Sequence, residues 1–145
     1  MSRLNPAGSH EAKRQLAARV LSDTQAWLQC AVIGLNLCPF AKAVSVKGLV
    51  YCAISEADGP QALLQDLAVE LRDLAASDAA QRETTLLVAP YCLDEFLLFN
   101  EFLGKAQSLL RKEGFEGVIQ LASFHPAYQF AGSASDDITN FTNRS

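Results

Sequence analysis

The chain has 145 residues, which corresponds to one domain and excludes a multidomain protein. Apolar residues make up 50% and charged residues 19%, a balance that excludes general disorder. The net charge of −4 leaves no basic excess for binding nucleic acid, and no apolar run is long enough to span a membrane. The start of the sequence lacks the apolar core of a signal peptide, so the cysteines are expected to stay reduced in a cytoplasmic protein.

The first predicted element is a long amphipathic helix. Residues 1–8 contain Asn, Pro and Gly and are predicted to form a flexible arm. From Ser9 onward a helix is expected, because apolar residues recur at helical spacing between residues 16 and 35. The pattern fits one helix, or two helices with a break near residues 22–24.

Three apolar runs alternate with two further helical patterns in the rest of the chain. The helices are predicted to start at Pro60 and near Asp94, and Gly114 ends the second of them. Strands that alternate with helices pair in parallel through right-handed crossovers. We therefore predict a single α/β domain over residues 9–132, with an N-terminal helix followed by β-α-β-α-β and a small, mostly parallel sheet covered by helices. The predicted strands are residues 49–54, 84–89 and 118–122.

Candidate functional residues follow the predicted strands, because ligands of open parallel sheets bind outside the carboxyl ends of the strands. His125 follows the third strand and is interpreted as a proton-transfer residue, or as a metal ligand together with Asp136 or Asp137. The alternative is a structural loop histidine whose ring binds a backbone carbonyl. Cys92 follows the second strand, and packing beneath the next helix is the favoured interpretation for it.

Cys38 is the more promising nucleophile. Pro39 suits the first position of a short helix, which would place Cys38 at the N-cap of that helix. Free amides there, together with Lys42 one turn later, favour the thiolate. The alternative is a half-buried residue that joins two helices, and the sequence does not decide between the two.

The residues near the end of the chain are predicted to line a binding site for a small polar or anionic ligand. Tyr128 begins an aromatic segment that reaches a turn at Gly132, and residues 133–145 form a polar tail. Ordinary packing and a solvated terminus are the alternatives. The tail carries a carboxylate, two amides and a guanidinium suited to binding such a ligand: Asp137, Asn140, Asn143 and Arg144.

Motifs that would identify a cofactor do not occur in the sequence. It contains no Cys-x-x-Cys, no His-x-x-x-His and no glycine-rich phosphate loop. The cofactor is therefore unknown at this stage, and so is the oligomeric state.

Four segments resemble a bacterial family known as domain of unknown function 1415. They are NLCPFA (36–41), ETTLLV (83–88), QLASFHP (120–126) and NFTNRS (140–145). The resemblance runs from about the first helix to the last residue and implies a bacterial protein of a family with no established activity. It also implies that the tail is the start of a longer C-terminal segment. Motif residues of the family fall on five candidate positions and favour them as one site: Cys38, His125, Asn140, Asn143 and Arg144.

Three functions remain open from the sequence. The first is an enzyme that acts on a small polar or anionic metabolite, with Cys38 as nucleophile and His125 as base or proton shuttle. The second is a non-catalytic module that binds a small ligand or a metal at the same edge. The third is an interaction domain in which the motif residues brace the loops.

Overall fold

The computed structural model describes residues 6–145, in which helices combine with a small parallel sheet. This mixed architecture confirms the predicted α/β class. No helix within the described range is long and apolar enough to cross a bilayer. In chain order the elements are α1 (Pro6–Trp27), a π-helical turn (Leu28–Ile33), α2 (Ala41–Val46), β1 (Val50–Ile54), α3 (Pro60–Ala76), β2 (Thr84–Val88), α4 (Phe96–Lys112) and a 3₁₀ helix (Ile138–Asn143).

Helix α1 begins earlier than the sequence predicts. Residues 6–8 are helical where the sequence predicts a flexible arm, and residues 1–5 lie outside the described residues. A proline at the first helical position costs no hydrogen bond, because the N–H it lacks would have no partner within the helix. The helix is continuous through residues 22–24, where a break was one of the two alternatives.

Strands β1 and β2 pair in parallel, as predicted. Val50 lies opposite Thr84, and Ile54 lies opposite Val88. Helix α3 forms the crossover between the strands, with Pro60 in its first turn. The carboxyl ends of both strands therefore lie side by side, and each is followed by a loop that leads to the N-terminus of a helix.

The core lies between α3 and α4. Phe102 and Ala106 are one helical turn apart on α4 and face the same side, where they meet Leu63 of α3. Ala57, in the loop after β1, completes this buried cluster. The cluster therefore fixes α4 against the carboxyl end of the sheet.

The third predicted strand, over residues 118–122, is wrong. The sheet of the described residues has two strands. The N–H groups of Val118 and Ile119 both donate to the carbonyl oxygen of Phe115, at 3.0 and 2.9 Å, and close a turn in which Gly117 has a φ of 79°. Val118 is 76% exposed. The segment is apolar, as the strand prediction required. The N–H groups of its first two residues, however, donate within this turn and not to a neighbouring strand.

Candidate functional site

A cavity of about 300 Å³ lies beyond the carboxyl ends of β1 and β2. Residues 58–60 line it from the loop after β1, and residues 91–94 line it from the loop after β2. Helix α4 forms a further wall. This is the position at which open parallel sheets bind their ligands.

One face of α4 points into the cavity. Leu98, Glu101, Phe102 and Lys105 recur at spacings of three and four residues and line it together. Phe102 extends the buried core to the cavity, whereas Leu98 is half exposed at 48%. The helix thus presents an apolar surface with one carboxylate and one ammonium group.

The charges around the cavity are mainly negative. Burial raises the pKa of the Cys92 thiol, and the carboxylates of Asp58 and Asp66 raise this pKa further. The Cys92 thiol is therefore protonated at neutral pH and lies in a negative potential. Three carboxylates and one ammonium line the cavity: Asp58, Asp94, Glu101 and Lys105.

Ser55 holds Asp66, whose charge acts on Cys92. Ser55 follows β1 directly and is only 4% exposed. Its hydroxyl donates a hydrogen bond to Asp66 Oδ2 and accepts one at 3.0 Å from the N–H of Ala57. Because the buried hydroxyl is used by these two partners, Ser55 orients a carboxylate and shapes the loop after β1.

The ring of His125 is buried, and both of its nitrogens have partners. Nε2 lies 2.9 Å from the carbonyl oxygen of Leu93, and Nδ1 accepts a hydrogen bond at 3.0 Å from the N–H of Ala127. The rings of Phe96 and Phe99 contact the imidazole, with centroids 5.5 and 5.0 Å away. Leu93 lines the cavity, so the His125 ring contacts the backbone of a residue in the cavity wall. This contact is the carbonyl-bound arrangement that the sequence offered as the alternative for this histidine.

Cys38 is not the N-cap of the short helix α2, and this prediction is wrong. The N-cap is Phe40, and the carbonyl oxygen of Cys38 accepts a hydrogen bond at 3.3 Å from the N–H of Ala41. Pro39 and Phe40 thus form a turn ahead of the helix, which moves the cap two residues along the chain. Within residues 6–145 no hydrogen bond joins Cys38 to His125. Their catalytic roles stay predictions.

The predicted binding residues near the end of the chain meet around the 3₁₀ helix, where Asn140, Asn143 and Arg144 donate side-chain hydrogen bonds to backbone carbonyls. Arg144 donates from Nε to Tyr128 at 3.0 Å and from Nη2 to Ser135 at 2.6 Å. Asn143 donates from Nδ2 to Ser123 at 2.9 Å, and its own carbonyl accepts the N–H of His125. These contacts tie the polar tail to the segment that carries His125.

Asn140 is completely buried, with 0% exposure. Its Oδ1 accepts hydrogen bonds from the N–H of Phe130 and the hydroxyl of Ser133, each at 2.9 Å, and its Nδ2 donates to Ala134 O at 2.8 Å. Three of the four hydrogen-bonding positions of the amide are thus used inside the loop. The side chain organises the loop from within.

Asp137 caps the 3₁₀ helix. Its carboxylate accepts hydrogen bonds from the N–H and the hydroxyl of Thr139, which lower the pKa of Asp137. In the part of the chain that the structure describes, no group of three or more His, Cys, Asp or Glu is arranged to hold a metal. The predicted metal alternative, His125 with Asp136 or Asp137, stays untested.

The family described as "Protein of unknown function (DUF1415)" matches residues 19–145. The chain belongs to the DUF1415 family. No curated protein and no solved structure matched it. The matched part of this DUF1415 chain contains the whole cavity wall as well as the 3₁₀ helix.

Only part of the DUF1415 cavity was foreseen from the sequence. The cavity lies at the strand ends that the sequence indicated, but Cys92 was interpreted there as a packing residue, and Asp58, Glu101 and Lys105 were not predicted as site residues. The pattern of α4 could have indicated two of them. Glu101 and Lys105 lie next to the apolar stripe of this helix, so they are expected at the edge of any cavity that the stripe lines.

Proposed function

We propose that this DUF1415 protein binds a small organic cation, such as a primary amine, in the cavity at the carboxyl ends of β1 and β2. The observation that carries the proposal is the lining of the cavity. Three carboxylates and a single ammonium group surround an apolar floor. A negative potential inside a concave site attracts and stabilises a positively charged ligand.

The Cys92 thiol supports this choice of charge. The carboxylates that raise its pKa do so by disfavouring a negative charge at the position of the sulfur. The same field favours a positive charge at that position. A volume of about 300 Å³ is at the lower end for ligand sites, so the ligand is small. Tyr91, Leu98 and Phe102 offer apolar surface for a short carbon chain.

An anionic ligand, which the sequence favoured because of Arg144, fits this geometry less well. The guanidinium of Arg144 is bound to two carbonyls and lies 4.8 Å from the centroid of the Phe141 ring. The N-termini of α3 and α4 would attract an anion, but Asp58 and Asp94 already place carboxylates there. Of the functions left open by the sequence, the non-catalytic ligand-binding module is thus the one best supported.

Three probes of equal chain length and different charge test the proposal: butylamine, 1-butanol and butyrate. We expect butylamine to shift the backbone amide resonances of residues 91–94 in a saturable, millimolar titration. The alcohol should produce smaller shifts, and butyrate smaller still. Equal or stronger binding of butyrate would contradict the proposal.

Charge-neutralising variants provide the matched control. Glu101→Gln removes one carboxylate of the cavity and should weaken butylamine binding by about fivefold. Glu83→Gln makes the same chemical change at an exposed residue outside the cavity and should leave binding unchanged. Equal effects of the two variants would show that butylamine responds only to the net charge of the protein.

A further inference from the structure

Leu93 has an unusual backbone conformation in the wall of the cavity. Its φ is 62°, in the left-handed region that glycine and asparagine tolerate better than other residues. Its side chain also packs against the buried cluster between α3 and α4. Local sequence does not favour this conformation, so contacts from elsewhere in the fold must maintain it.

His125 provides such a contact from 32 residues away along the chain. A backbone N–H can only donate, so Nδ1, which faces the N–H of Ala127, carries no proton. Nε2 then carries the proton and donates a hydrogen bond to the carbonyl oxygen of Leu93. The geometry thus specifies one neutral tautomer of a ring that is only 5% exposed.

The position of His125 depends in turn on the end of the chain. Its backbone N–H donates to the carbonyl oxygen of Asn143 at 3.0 Å, and the Asn143 side chain donates to Ser123 O. The side chain of the next residue, Arg144, donates a hydrogen bond to Tyr128 O. The main-chain carbonyl oxygen of Arg144 accepts one at 3.2 Å from the indole N–H of Trp27. A continuous set of contacts therefore leads from α1 and the 3₁₀ helix to the cavity wall.

We propose that His125 is a positioning residue that holds Leu93 in its left-handed conformation, so that docking of residues 123–144 sets the shape of the cavity wall. In this role the imidazole transfers no proton and contacts no ligand. The inference rests on the proposed function only in identifying the wall as that of a ligand site. Its central claim concerns Leu93 and is measurable without any ligand.

The tautomer is tested first, on the unmodified protein. Long-range ¹H–¹⁵N correlation spectra distinguish a protonated ring nitrogen from one with a free lone pair. We expect Nε2 of His125 to be protonated and Nδ1 to carry the lone pair at neutral pH. The opposite tautomer, or rapid averaging between the two, would overturn the assignment even if every variant of His125 failed to fold.

A double-mutant cycle tests the coupling to Leu93. His125→Phe keeps an aromatic ring but removes both hydrogen bonds, and Leu93→Gly removes the steric cost of the left-handed conformation. Iodoacetamide labelling of the neighbouring Cys92, followed by peptide mass spectrometry, reports opening of the wall. We expect His125→Phe alone to accelerate labelling about tenfold, and the same change in the Leu93→Gly background to accelerate it less than about twofold.

Equal acceleration in the two backgrounds would show that His125 and Leu93 act independently, and would overturn the proposal. Labelling of Cys52, half-buried in β1, reports opening of the whole fold. If His125→Phe accelerated Cys52 as much as Cys92, the histidine would support the fold generally, which also contradicts the proposal. Absence of butylamine binding would overturn the proposed function alone, since neither measurement uses a ligand.

Discussion

Trp27 and Arg144 are 117 residues apart in the sequence and are joined by a hydrogen bond of 3.2 Å from the indole Nε1 to the main-chain carbonyl oxygen. The indole also meets the ring of Phe124 edge-on, with centroids 5.1 Å apart. The last turn of α1 thus binds both the loop before His125 and the loop after the 3₁₀ helix. It fixes the end of the chain on the domain.

Replacing Trp27 with phenylalanine should loosen this attachment. The variant retains an aromatic ring for Phe124 but removes the donor to Arg144, which should lower the free energy of unfolding by about 1 kcal/mol. Urea denaturation followed by circular dichroism measures this change, since Trp27 is the only tryptophan and its fluorescence is lost. Amide exchange within residues 138–144 should accelerate more than exchange in β1. Uniform acceleration would contradict a local role.

Asn140→Asp should be strongly destabilising at neutral pH. The buried carboxylate would keep the acceptor for Phe130 but would face the carbonyl of Ala134 without a donor, which should cost about 2–4 kcal/mol. Burial would raise the folded-state pKa of this carboxyl, so the loss should be full above that pKa and diminish as the pH falls through it. Denaturation at several pH values tests this sign. Asn100→Asp, on an exposed position of α4, should change stability by less than about 0.5 kcal/mol.

Truncation of two leucines should distinguish the core from the segment that was predicted as a strand. Leu63 is 4% exposed, and Leu63→Ala should cost about 2–5 kcal/mol. Leu121 is half-buried, and Leu121→Ala should cost about 1 kcal/mol. Chemical denaturation of the two variants provides the comparison. Equal losses would mean that residues 118–122 are packed as deeply as a central strand.

The reactivity of Cys92 should depend on the carboxylate of Asp58. Asp58→Asn removes a negative charge near the thiol, so the pKa of Cys92 should fall and alkylation at neutral pH should become about threefold faster. The pH dependence of the labelling rate should shift to lower pH. The pKa of Cys52 is raised by burial alone, so its labelling should not respond and serves as the internal control. An unchanged Cys92 profile would show that the Asp58 carboxylate does not contribute to the raised pKa of this thiol.

Local sequence was sufficient where local interactions determine the element. The starts of α3 and α4 and both paired strands were predicted from Pro60, from Asp94 and from apolar runs bounded by turn residues. Residues 118–122 have the same composition as a strand, but pairing requires a partner edge, and the preceding turn had already used their first amides. The prediction for this segment failed because no local pattern records that competition.

The sequence indicated the edge of the sheet where the cavity lies, but not the residues that line it. Parallel topology predicted a ligand site at the carboxyl ends of the strands, and a cavity is found there. The N-cap prediction for Cys38 failed because the start of α2 depends on the backbone turn at Phe40. The partner of His125 is a carbonyl 32 residues away, and a main-chain atom leaves no trace in the residue pattern.

The side chains that organise the end of the chain donate their hydrogen bonds to main-chain oxygens. His125, Asn140, Asn143 and Arg144 all do so, and each acceptor belongs to the peptide backbone. Every amino acid presents the same carbonyl, so substitutions at the accepting positions leave the bond intact, whereas the donors have no close substitutes. In each of these hydrogen bonds, the residue that supplies the carbonyl should therefore tolerate substitution better than the residue that donates. Polar residues that resist replacement in such a segment can be required for the structure of the loop. Their resistance to substitution is therefore not by itself evidence of a catalytic or ligand-binding role.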